Sequence, residues 1–239
     1  MIDIKHICWF DIETVGCAAT FSKLLDINPK LYSLWNSWYE KHKLPGDIST
    51  VDEAWLNKAG LHAEYAKVVC VSFGYFDNKG DLKINSFHGH DEKEILEKTA
   101  KVLNNANTTG MYLGGHSIER FDIAFLWKRM FINGITPPAL INVWEKKPWD
   151  LKFFDIAKVW SNGSWKESFT SLDTMAAVFN VQSPKDDLKG ALVHDYYWSN
   201  NDTERIKEYC ENDVRATAEI GKLIINILIG KQNESVVYQ

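Results

Sequence analysis

The sequence has no apolar run of about 20 residues, which a membrane-spanning helix requires, and no charged leader followed by an apolar stretch at its N-terminus. It also has no internal repeat and no low-complexity segment. These absences argue against a membrane protein and a repeat protein. We therefore expect a soluble, cytoplasmic protein without a membrane partner.

Cysteine is scarce, and its spacing is uninformative for metal binding. The four cysteines are widely separated and form no Cys-x-x-Cys pair, so neither a zinc knuckle nor a thioredoxin-type motif is indicated. Free cysteine is usually buried, and it stays reduced in the cytoplasm. We expect four reduced, mostly buried thiols: Cys8, Cys17, Cys70 and Cys210.

Positive charge is in the minority, with 27 Lys and Arg against 32 Asp and Glu and a formal net charge of −5. A protein that coats nucleic acid through a broad basic surface has the opposite balance. The composition still permits a site in which bound cations supply positive charge. The 239 residues, 45% of them hydrophobic, suit one core, so we expect one domain over residues 1–230 and a flexible tail over 231–239.

Segments typical of strands and of amphipathic helices follow one another along the chain. Short apolar runs predict strands at residues 5–14, 65–77, 82–88 and 111–113, and a turn between the second and third makes them a hairpin. Apolar spacing and capping residues predict helices at 91–104, 117–131, 171–179 and 202–229, with a strand or strand–helix junction at 149–160. This order is typical of an α/β protein with a mixed sheet and helices on its faces.

Residues 17–60 interrupt that order with two or three short helical patterns, and we interpret them as an insertion after the first strand. The insertion contains Trp35, Trp38 and Trp55 together with several lysines. Aromatic rings and lysines can hold a single nucleic-acid strand. Large aromatic residues more often form the core of a small helical subdomain, and we favour that interpretation.

Asp11 and Glu13 are placed unusually for acidic residues. Side chains alternate in a strand, so these two carboxylates share one face with Ile7 and Trp9 at the carboxyl end of an apolar run. Two carboxylates on a buried face repel each other and lose hydration unless a cation lies between them. A hard divalent cation would satisfy both. The alternative is a strand that ends there with both acids in water.

Asp213 shows the same anomaly on the last predicted helix. It belongs to an apolar stripe with three-, four- and seven-residue spacing, which directs its carboxylate inwards. The stripe comprises Ile206, Tyr209, Asp213, Ile220 and Ile227. The alternative is an aspartate at the edge of the stripe that bonds to Tyr209 for structural reasons.

Asp122 is a third inward acid, because Ile118, Phe121, Asp122 and Phe125 are spaced as one face of the helix predicted at 117–131. A shared site for two metal ions accounts for all three placements together. Other polar residues have simpler interpretations. His88 and His90 fit a surface strand end better than a metal site. Three further acids are interpreted as capping or turn residues: Asp150, Asp155 and Asp173.

Three segments resemble the motifs of the DEDD exonucleases, in the order of that family. WFDIETVG resembles the first motif, GGHSIERFDIAFL the second, and YCENDVRAT the Tyr-x-x-x-Asp form of the third, which defines the DEDDy subgroup. The flanks YAKVVCVSFGYF, FHGHDEKEIL and WDLKFFDIAK resemble the predicted exonucleases related to the proofreading domain of family B DNA polymerases. The resemblance covers most of the chain and implies an RNase H-like fold.

The resemblance also implies a 3′→5′ exonuclease site. Two Mg²⁺ or Mn²⁺ ions, ~3.5–4 Å apart, would be held by Asp11, Glu13, Asp122 and Asp213. Tyr209 would orient the attacking water or help to deprotonate it. The last nucleotides would contact Ile12, Thr14, His116, Ser117 and Phe121. Ser117 departs from the family, which often has asparagine there, and this departure bears on substrate positioning more than on metal binding.

The expected substrate is a nucleic-acid 3′ end, with single-stranded DNA preferred and 5′-mononucleotides released. Two alternatives stay open on the sequence: an exonuclease that acts on RNA, and a non-catalytic nucleic-acid-binding module that has kept the fold. A replication or repair partner acting in trans is compatible with the resemblance.

Overall fold

The computed structural model describes residues 2–43, 49–163, 170–183 and 190–230. Its centre is a five-stranded sheet in the order β3-β2-β1-β4-β5, in which β1 pairs antiparallel with β2 and parallel with β4. β2 and β3 are antiparallel, and β4 and β5 are parallel. The strands are β1 (Ile7–Gly16), β2 (Ala66–Phe76), β3 (Leu82–His88), β4 (Tyr112–Gly115) and β5 (Phe153–Asp155). The predicted mixed α/β sheet is confirmed.

Helices cover both faces of the sheet and form a separate cluster after β1. They are α1 (Phe21–Ile27), α2 (Pro29–His42), α3 (Val51–Lys58), α4 (Glu92–Thr108), α5 (Asp122–Ile132), α6 (Ile156–Trp160), α7 (Leu172–Val178), α8 (Val193–Trp198) and α9 (Thr203–Leu228). Within the described ranges, none of these helices is long and apolar enough to cross a membrane. The tail predicted at 231–239 lies outside the described residues.

β1 is the central strand, and its two faces are buried in different clusters. Phe10 and Ile12 pack with residues of α4 and α5 on one face, whereas Ile7 and Trp9 pack against α9 on the other. The close approach of α9 depends on Gly221, because a Cβ atom there would lie 2.0 Å from Cη2 of Trp9. A side chain at residue 221 would therefore push α9 away from the strand that carries Asp11 and Glu13.

The hairpin and the first long helix form where the sequence predicts them. The Asp77 carboxylate accepts the backbone N–H groups of Lys79 and Asp81, and Gly80 supplies the left-handed residue of the turn with φ = 88°. Asp91 caps the N-terminus of α4, whose predicted inward residues are all buried. Those residues are Ile95, Leu96, Ala100 and Leu103.

β4 continues through the glycines that were predicted to end it. A Cβ atom on Gly114 would lie 2.5 Å from Cγ2 of Ile7, and one on Gly115 would lie 2.1 Å from Cγ2 of Ile118. The two glycines therefore let β4 lie close to β1 and to the turn that follows. The predicted end at residue 113 is wrong because these glycines serve close packing rather than chain reversal.

The three helices of residues 17–60 have a core of their own. Trp35 and Trp55 are fully buried with their rings edge to face at 5.1 Å, and Nε1 of Trp55 donates a hydrogen bond to the carbonyl of Ala18. Trp38 stacks on Trp35 at 4.8 Å. Trp35 and Trp55 are core residues, as favoured above, and Trp38 is half-buried against that core. The lysines of the same helices, Lys23, Lys30, Lys41 and Lys43, are exposed.

Candidate metal centre and active site

Asp11 and Glu13 lie side by side on β1 at a point where the strand loses one of its neighbours. The pairing of β1 with β4 ends at Trp9 and Gly114, whereas the pairing with β2 continues to Gly16 with an irregularity between Glu13 and Thr14. The two acids therefore face a cleft beyond the end of β4. The sequence predicted them at the carboxyl end of the strand, which is wrong, because β1 runs three residues past Glu13.

Asp122 reaches the same cleft from the N-terminus of α5, and not from a face inside a helix as predicted. Residues 117–121 form a turn, with Ser117 in the left-handed region at φ = 61°, and the helix begins at Asp122 itself. The backbone N–H groups of Asp122 itself and of Ile12 lie near the carboxyl group and act to lower its pKa, against the larger effect of burial. A carboxylate in the first turn of a helix is also favoured by the helix dipole. The predicted helical start at 117 is therefore wrong, although the inward placement of Asp122 is observed.

The turn before α5 is held by Asp155, which lies at the end of β5. Its carboxylate accepts the backbone N–H of Ser117 at 2.9 Å and that of Glu119 at 3.2 Å. The same carboxylate caps α6 through the N–H groups of Ala157 and Lys158. Asp155 is a capping residue as predicted, but it also shapes the turn that carries Asp122.

α9 brings Tyr209 and Asp213 close to Asp11 and Glu13 from the opposite face of the sheet to α5. Ile206, Tyr209 and Ile220 of the predicted stripe are buried, and Oδ1 of Asp213 is buried as well. Ile227 is 48% exposed, so the stripe ends before the last turn of the helix because α9 extends past the sheet there. Cys210 follows Tyr209, and its Sγ lies 3.5 Å from Oδ2 of Asp11.

The four acids act on one another electrostatically. Burial raises the pKa of Asp11 well above its usual range, and Asp213, Asp122 and Glu13 raise it further. Burial and Asp213 do the same to the pKa of Glu13. Burial also raises the pKa of Asp122 to about 7. The main influences on the pKa values of Asp11, Glu13 and Asp122 include no positively charged group among the described residues, so these three acids concentrate negative charge.

This donor set fits hard divalent cations. Glu13 is nine-tenths buried, yet no described residue donates a hydrogen bond to its carboxylate. A buried carboxylate without such a donor is costly unless a cation binds it. Carboxylate oxygen is the ligand that Mg²⁺ prefers and that Mn²⁺ accepts. Asp11, Glu13, Asp122 and Asp213 therefore form a candidate centre for these metals.

Tyr209 lies close to these acids, and its phenol is protonated. Burial raises its pKa above the ordinary value, and the nearby charges of Asp213, Glu13 and Asp11 raise it further. A phenol with a raised pKa keeps its proton at neutral pH, so the hydroxyl can donate a hydrogen bond but cannot serve as a base.

The residues predicted to contact substrate line two adjoining clefts. One cleft of about 400 Å³ is lined by Ile12, His116, Ser117 and Phe121 together with Asp11 and Asp122. A second cleft of about 160 Å³ is lined by Ile12, Thr14 and Phe121 together with Glu13. All five residues therefore border the acids, which makes them candidates for holding a strand end.

Two of these five side chains are also engaged within the protein. The Thr14 hydroxyl donates to the carbonyl of Gly60 at 2.7 Å, and Nε2 of His116 lies 2.9 Å from the carbonyl oxygen of Thr170. Burial lowers the pKa of His116, which keeps the ring neutral. Both side chains therefore shape the cleft walls, and what Thr14 can offer to a ligand is its backbone.

Three residues of the site were not predicted from the sequence. Cys210 was treated as an ordinary core thiol, although its three-residue spacing from Asp213 on a helix would have indicated the same face. Arg120 lines the larger cleft and has no distinctive spacing in the sequence. Asp155 was identified only as a cap. Its second role depends on a contact across 38 positions, which no local pattern reveals.

His88 and His90 have contacts outside the candidate centre, and the four cysteines form no disulfide. Nδ1 of His88 lies 3.1 Å from the Thr203 hydroxyl, and the His90 ring lies against Tyr197, so the described residues around them form no metal site. All four cysteines are free. Three of them are buried, and Cys17 is half-buried.

Comparison with known structures supports the fold assignment. The structure of a family B DNA polymerase from the hyperthermophilic archaeon Pyrobaculum calidifontis is similar over 93% of this chain, with a TM-score of 0.56 and 16% identity. The chain spans a quarter (25%) of that polymerase. No curated protein sequence matches the chain significantly.

Two structures of E. coli Exonuclease I are also similar, at lower scores. The zinc-bound complex with single-stranded DNA aligns with 92% of this chain and 40% of its own, with a TM-score of 0.45 and 12% identity. The complex with a dT13 oligonucleotide aligns with 94% and 42%, with a TM-score of 0.41 and 12% identity.

The mixed sheet and its flanking helices define an α/β fold similar to that of the polymerase structure. The chain belongs to the family of predicted 3′→5′ exonucleases related to the exonuclease domain of PolB, whose model matches residues 60–219. The match includes Asp122, Tyr209 and Asp213. Asp11 and Glu13 precede it, so their place in the centre depends on the strand geometry described above. The predicted enzyme class, a 3′→5′ exonuclease, is confirmed at the level of the family.

Proposed function

We propose that this protein is a metal-dependent 3′→5′ exonuclease that removes 5′-mononucleotides from the end of single-stranded DNA. The observation that carries the proposal is the convergence of four mutually repelling carboxylates, of which Asp11 and Asp122 line an open cleft and Glu13 lines the cleft beside it. Such a cluster destabilises a fold unless cations neutralise it. The family's relation to a polymerase exonuclease domain supports DNA as the substrate class. A cytoplasmic location is part of the same proposal.

Each acid has a distinct task in this proposal. Asp11 and Glu13 hold cations from the central strand, Asp122 from the start of α5, and Asp213 from α9. When bound, two Mg²⁺ or Mn²⁺ ions would supply the charge that lowers the pKa of the attacking water and stabilises the departing 3′ oxygen. The bound cations also explain how an acidic protein can hold a polyanion.

Tyr209 and the cleft walls would position the reacting groups. The phenol donates a hydrogen bond that orients the attacking water, and it keeps its proton throughout. Phe121 offers a ring beside the terminal base, and the backbone of Ile12 and Thr14 borders the terminal nucleotide.

The decisive experiment follows a DNA oligonucleotide labelled at its 5′ end and, separately, at its 3′ end. With Mg²⁺ or Mn²⁺, the 5′-labelled strand should shorten stepwise, and the 3′-labelled strand should release labelled mononucleotide at once. Asp11→Asn should abolish both results, whereas Asp150→Asn, which alters an exposed acid of the 148–150 turn, should not.

The same assay separates the competing functions. When RNA, single-stranded DNA and duplex DNA of one sequence are compared, the single-stranded DNA should be degraded fastest. Faster degradation of RNA would show that RNA is the preferred substrate and would leave the proposed hydrolytic mechanism unchanged. If the protein degrades none of these strands with either metal, the proposal is contradicted. The remaining hypothesis is then a non-catalytic nucleic-acid-binding module.

A further inference from the structure

We propose that Cys210 gives the centre a second way to bind metal, in which Asp11, Glu13 and Cys210 together hold zinc or another thiophilic divalent cation. One donor atom from each of these residues lies within 4.8 Å of the others. The set combines two carboxylate oxygens with one sulfur, a combination that zinc accepts and Mg²⁺ does not.

The separation of sulfur and oxygen already matches a zinc site. Sγ of Cys210 lies 3.5 Å from Oδ2 of Asp11. With a Zn–S bond of about 2.3 Å and a Zn–O bond of about 2.0–2.2 Å, tetrahedral geometry places the two donors about 3.6 Å apart. Zinc would therefore replace the proton that the thiol now directs at Asp11, with little movement of either side chain.

The carboxylate of Glu13 is a second observation that points to a bound cation at this place. Glu13 is nine-tenths buried, and no described residue donates a hydrogen bond to its carboxylate. Glu13 lies two positions after Asp11 on the same face of β1, so its free oxygens border the space that Asp11 and Cys210 share. A cation bound by all three would satisfy Glu13 at the same time.

The sulfur is held in place by its surroundings. Cys210 is fully buried on α9, and its Sγ also lies 3.4 Å from the backbone carbonyl of Asp11. The other cysteine nearby is Cys70, which lies opposite Glu13 in the pairing of β1 with β2 and donates no atom to the compact set. Cys210 is therefore the thiol that the geometry assigns to the metal.

With Cys210 as a ligand, the centre would bind zinc more tightly than it binds Mg²⁺ or Mn²⁺. Hard cations would use the carboxylates and leave the thiol protonated, whereas zinc would gain a thiolate bond as well. Zinc already binds most mixed-donor sites more tightly than Mn²⁺ does. We expect it to displace the activating metal and slow the enzyme. The inhibition rests on the proposed exonuclease function, but the binding of zinc through sulfur does not.

The test uses Co²⁺ as a spectroscopic substitute for zinc on the full chain, with a non-thiol reductant present. A bond between Co²⁺ and a thiolate produces a charge-transfer absorption in the near ultraviolet, and carboxylates alone produce none. The wild-type protein should develop this band with one equivalent of Co²⁺, and zinc should abolish it by displacement. Cys210→Ser and Cys210→Ala should both lack it.

Cys8→Ala is the matched control. Cys8 is a buried thiol on β1 as well, but it packs in the cluster on the opposite face from Asp11. This variant should keep the cobalt band. Competition titrations should show that the preference for Zn²⁺ over Mn²⁺, as a ratio of dissociation constants, falls about 10–100-fold in Cys210→Ala and stays unchanged in Cys8→Ala.

The outcomes separate this inference from the proposed function. A wild-type protein that degrades DNA but shows no cobalt–sulfur band would overturn the zinc site and leave the exonuclease intact. A band that persists in Cys210→Ser and disappears in Cys70→Ser would overturn the assignment to Cys210. A cobalt–sulfur band in a protein without nuclease activity would support the zinc site and contradict the proposed exonuclease function.

Discussion

Asp155 and Ser117 are joined by a hydrogen bond of 2.9 Å from the backbone N–H of the serine to Oδ1 of the aspartate. Asp155 is 2% exposed and accepts four backbone N–H groups in all, two from the turn before α5 and two from the start of α6. One buried side chain thus connects the end of β5 to the helix start that presents Asp122. The position of Asp122, a proposed metal ligand, therefore depends on a residue outside the proposed ligand set.

Asp155→Asn should weaken both the fold and the catalytic turn. The amide keeps one acceptor oxygen and turns its NH₂ group towards donors, so at least one buried N–H loses its partner, at a cost of about 2–4 kcal/mol. We expect a lower midpoint in urea unfolding and, at temperatures where the variant is folded, weaker Mn²⁺ binding.

Asp173→Asn serves as the control for that change, because Asp173 lies in the first turn of α7 and accepts a hydrogen bond from Ser183. It should unfold at nearly the wild-type urea concentration. An Asp155→Asn protein with wild-type stability and wild-type Mn²⁺ affinity would show that the turn holds its shape without this carboxylate.

The stability of the metal-free protein should fall as the pH rises from about 4 to about 7. The pKa of Asp122 is raised from 3.8 to about 7 in the folded chain, so the unfolded chain releases this proton first. The stability contributed below pH 4 is therefore lost by pH 7, and the raised pKa values of Asp11 and Glu13 act in the same direction. Thermal melts in EDTA at several pH values measure the effect.

Asp122→Asn should remove part of this penalty. At pH 8 in EDTA, the variant should be more stable than the wild type by on the order of 1–3 kcal/mol, because it no longer buries that charge. With Mn²⁺ present the order should reverse. Equal stability of the two proteins in EDTA at pH 8 would mean that Asp122 is hydrated or neutralised in another way.

Divalent metal should raise the melting temperature strongly at pH 8 and weakly at pH 5. Cations bind only deprotonated carboxylates, so protons compete with them where the pKa values are raised. A concentration of 100 times the dissociation constant stabilises the fold by about 2.7 kcal/mol. Differential scanning fluorimetry with Mg²⁺, Mn²⁺ and EDTA at both pH values provides the measurement, and an equal rise at both would contradict the assignment.

Tyr209→Phe should reduce kcat by about 10–100-fold and leave metal binding nearly unchanged. The change removes a donor that orients water but no ligand atom. Because the pKa of Tyr209 is raised, the wild-type enzyme should show no loss of activity attributable to this phenol between pH 7 and pH 9.5. A basic limb in the kcat profile that disappears in Tyr209→Phe would indicate deprotonation of the phenol instead.

Gly221→Ala should destabilise the protein, because the added methyl group would lie 2.0 Å from Trp9 and force α9 away from β1. Overpacking of this kind typically costs about 1–3 kcal/mol. Urea unfolding of the single variants and of the Trp9→Leu, Gly221→Ala double variant tests the cause. The double variant should lose less than the sum of the two, since the smaller side chain leaves room for the methyl group. If the losses of unfolding free energy are additive, the destabilisation by Gly221→Ala does not come from the contact with Trp9.

Much of this fold could be predicted from local patterns, because most elements carry their own signals. The turn residues of the hairpin, the Asp91 cap of α4 and the Ser171 cap of α7 lie where sequence rules place them. The errors occur where tertiary packing overrides a local rule. Gly114 and Gly115 usually indicate the end of a strand, but here they permit close contact with β1.

The candidate site was predicted less completely than the fold. Inward acids on β1 and α9 follow from periodicity, which is a local property. The position of Asp122 does not, because its helix begins five residues later than its spacing suggests, under the control of a carboxylate 38 positions away from Ser117. The spacing of Cys210 from Asp213 indicates a shared face of α9, but its contact with Asp11 spans 199 positions and no local pattern predicts it.

That separation also determines when the protein can first act. Translation adds Asp11 about 200 residues before α9, which supplies Tyr209, Cys210 and Asp213. Until α9 docks over Trp9, Asp11 and Glu13 therefore lack the residues that would complete the proposed metal centre. Under the proposed function, the nascent chain gains the capacity to cut nucleic acid only after α9 has been synthesised.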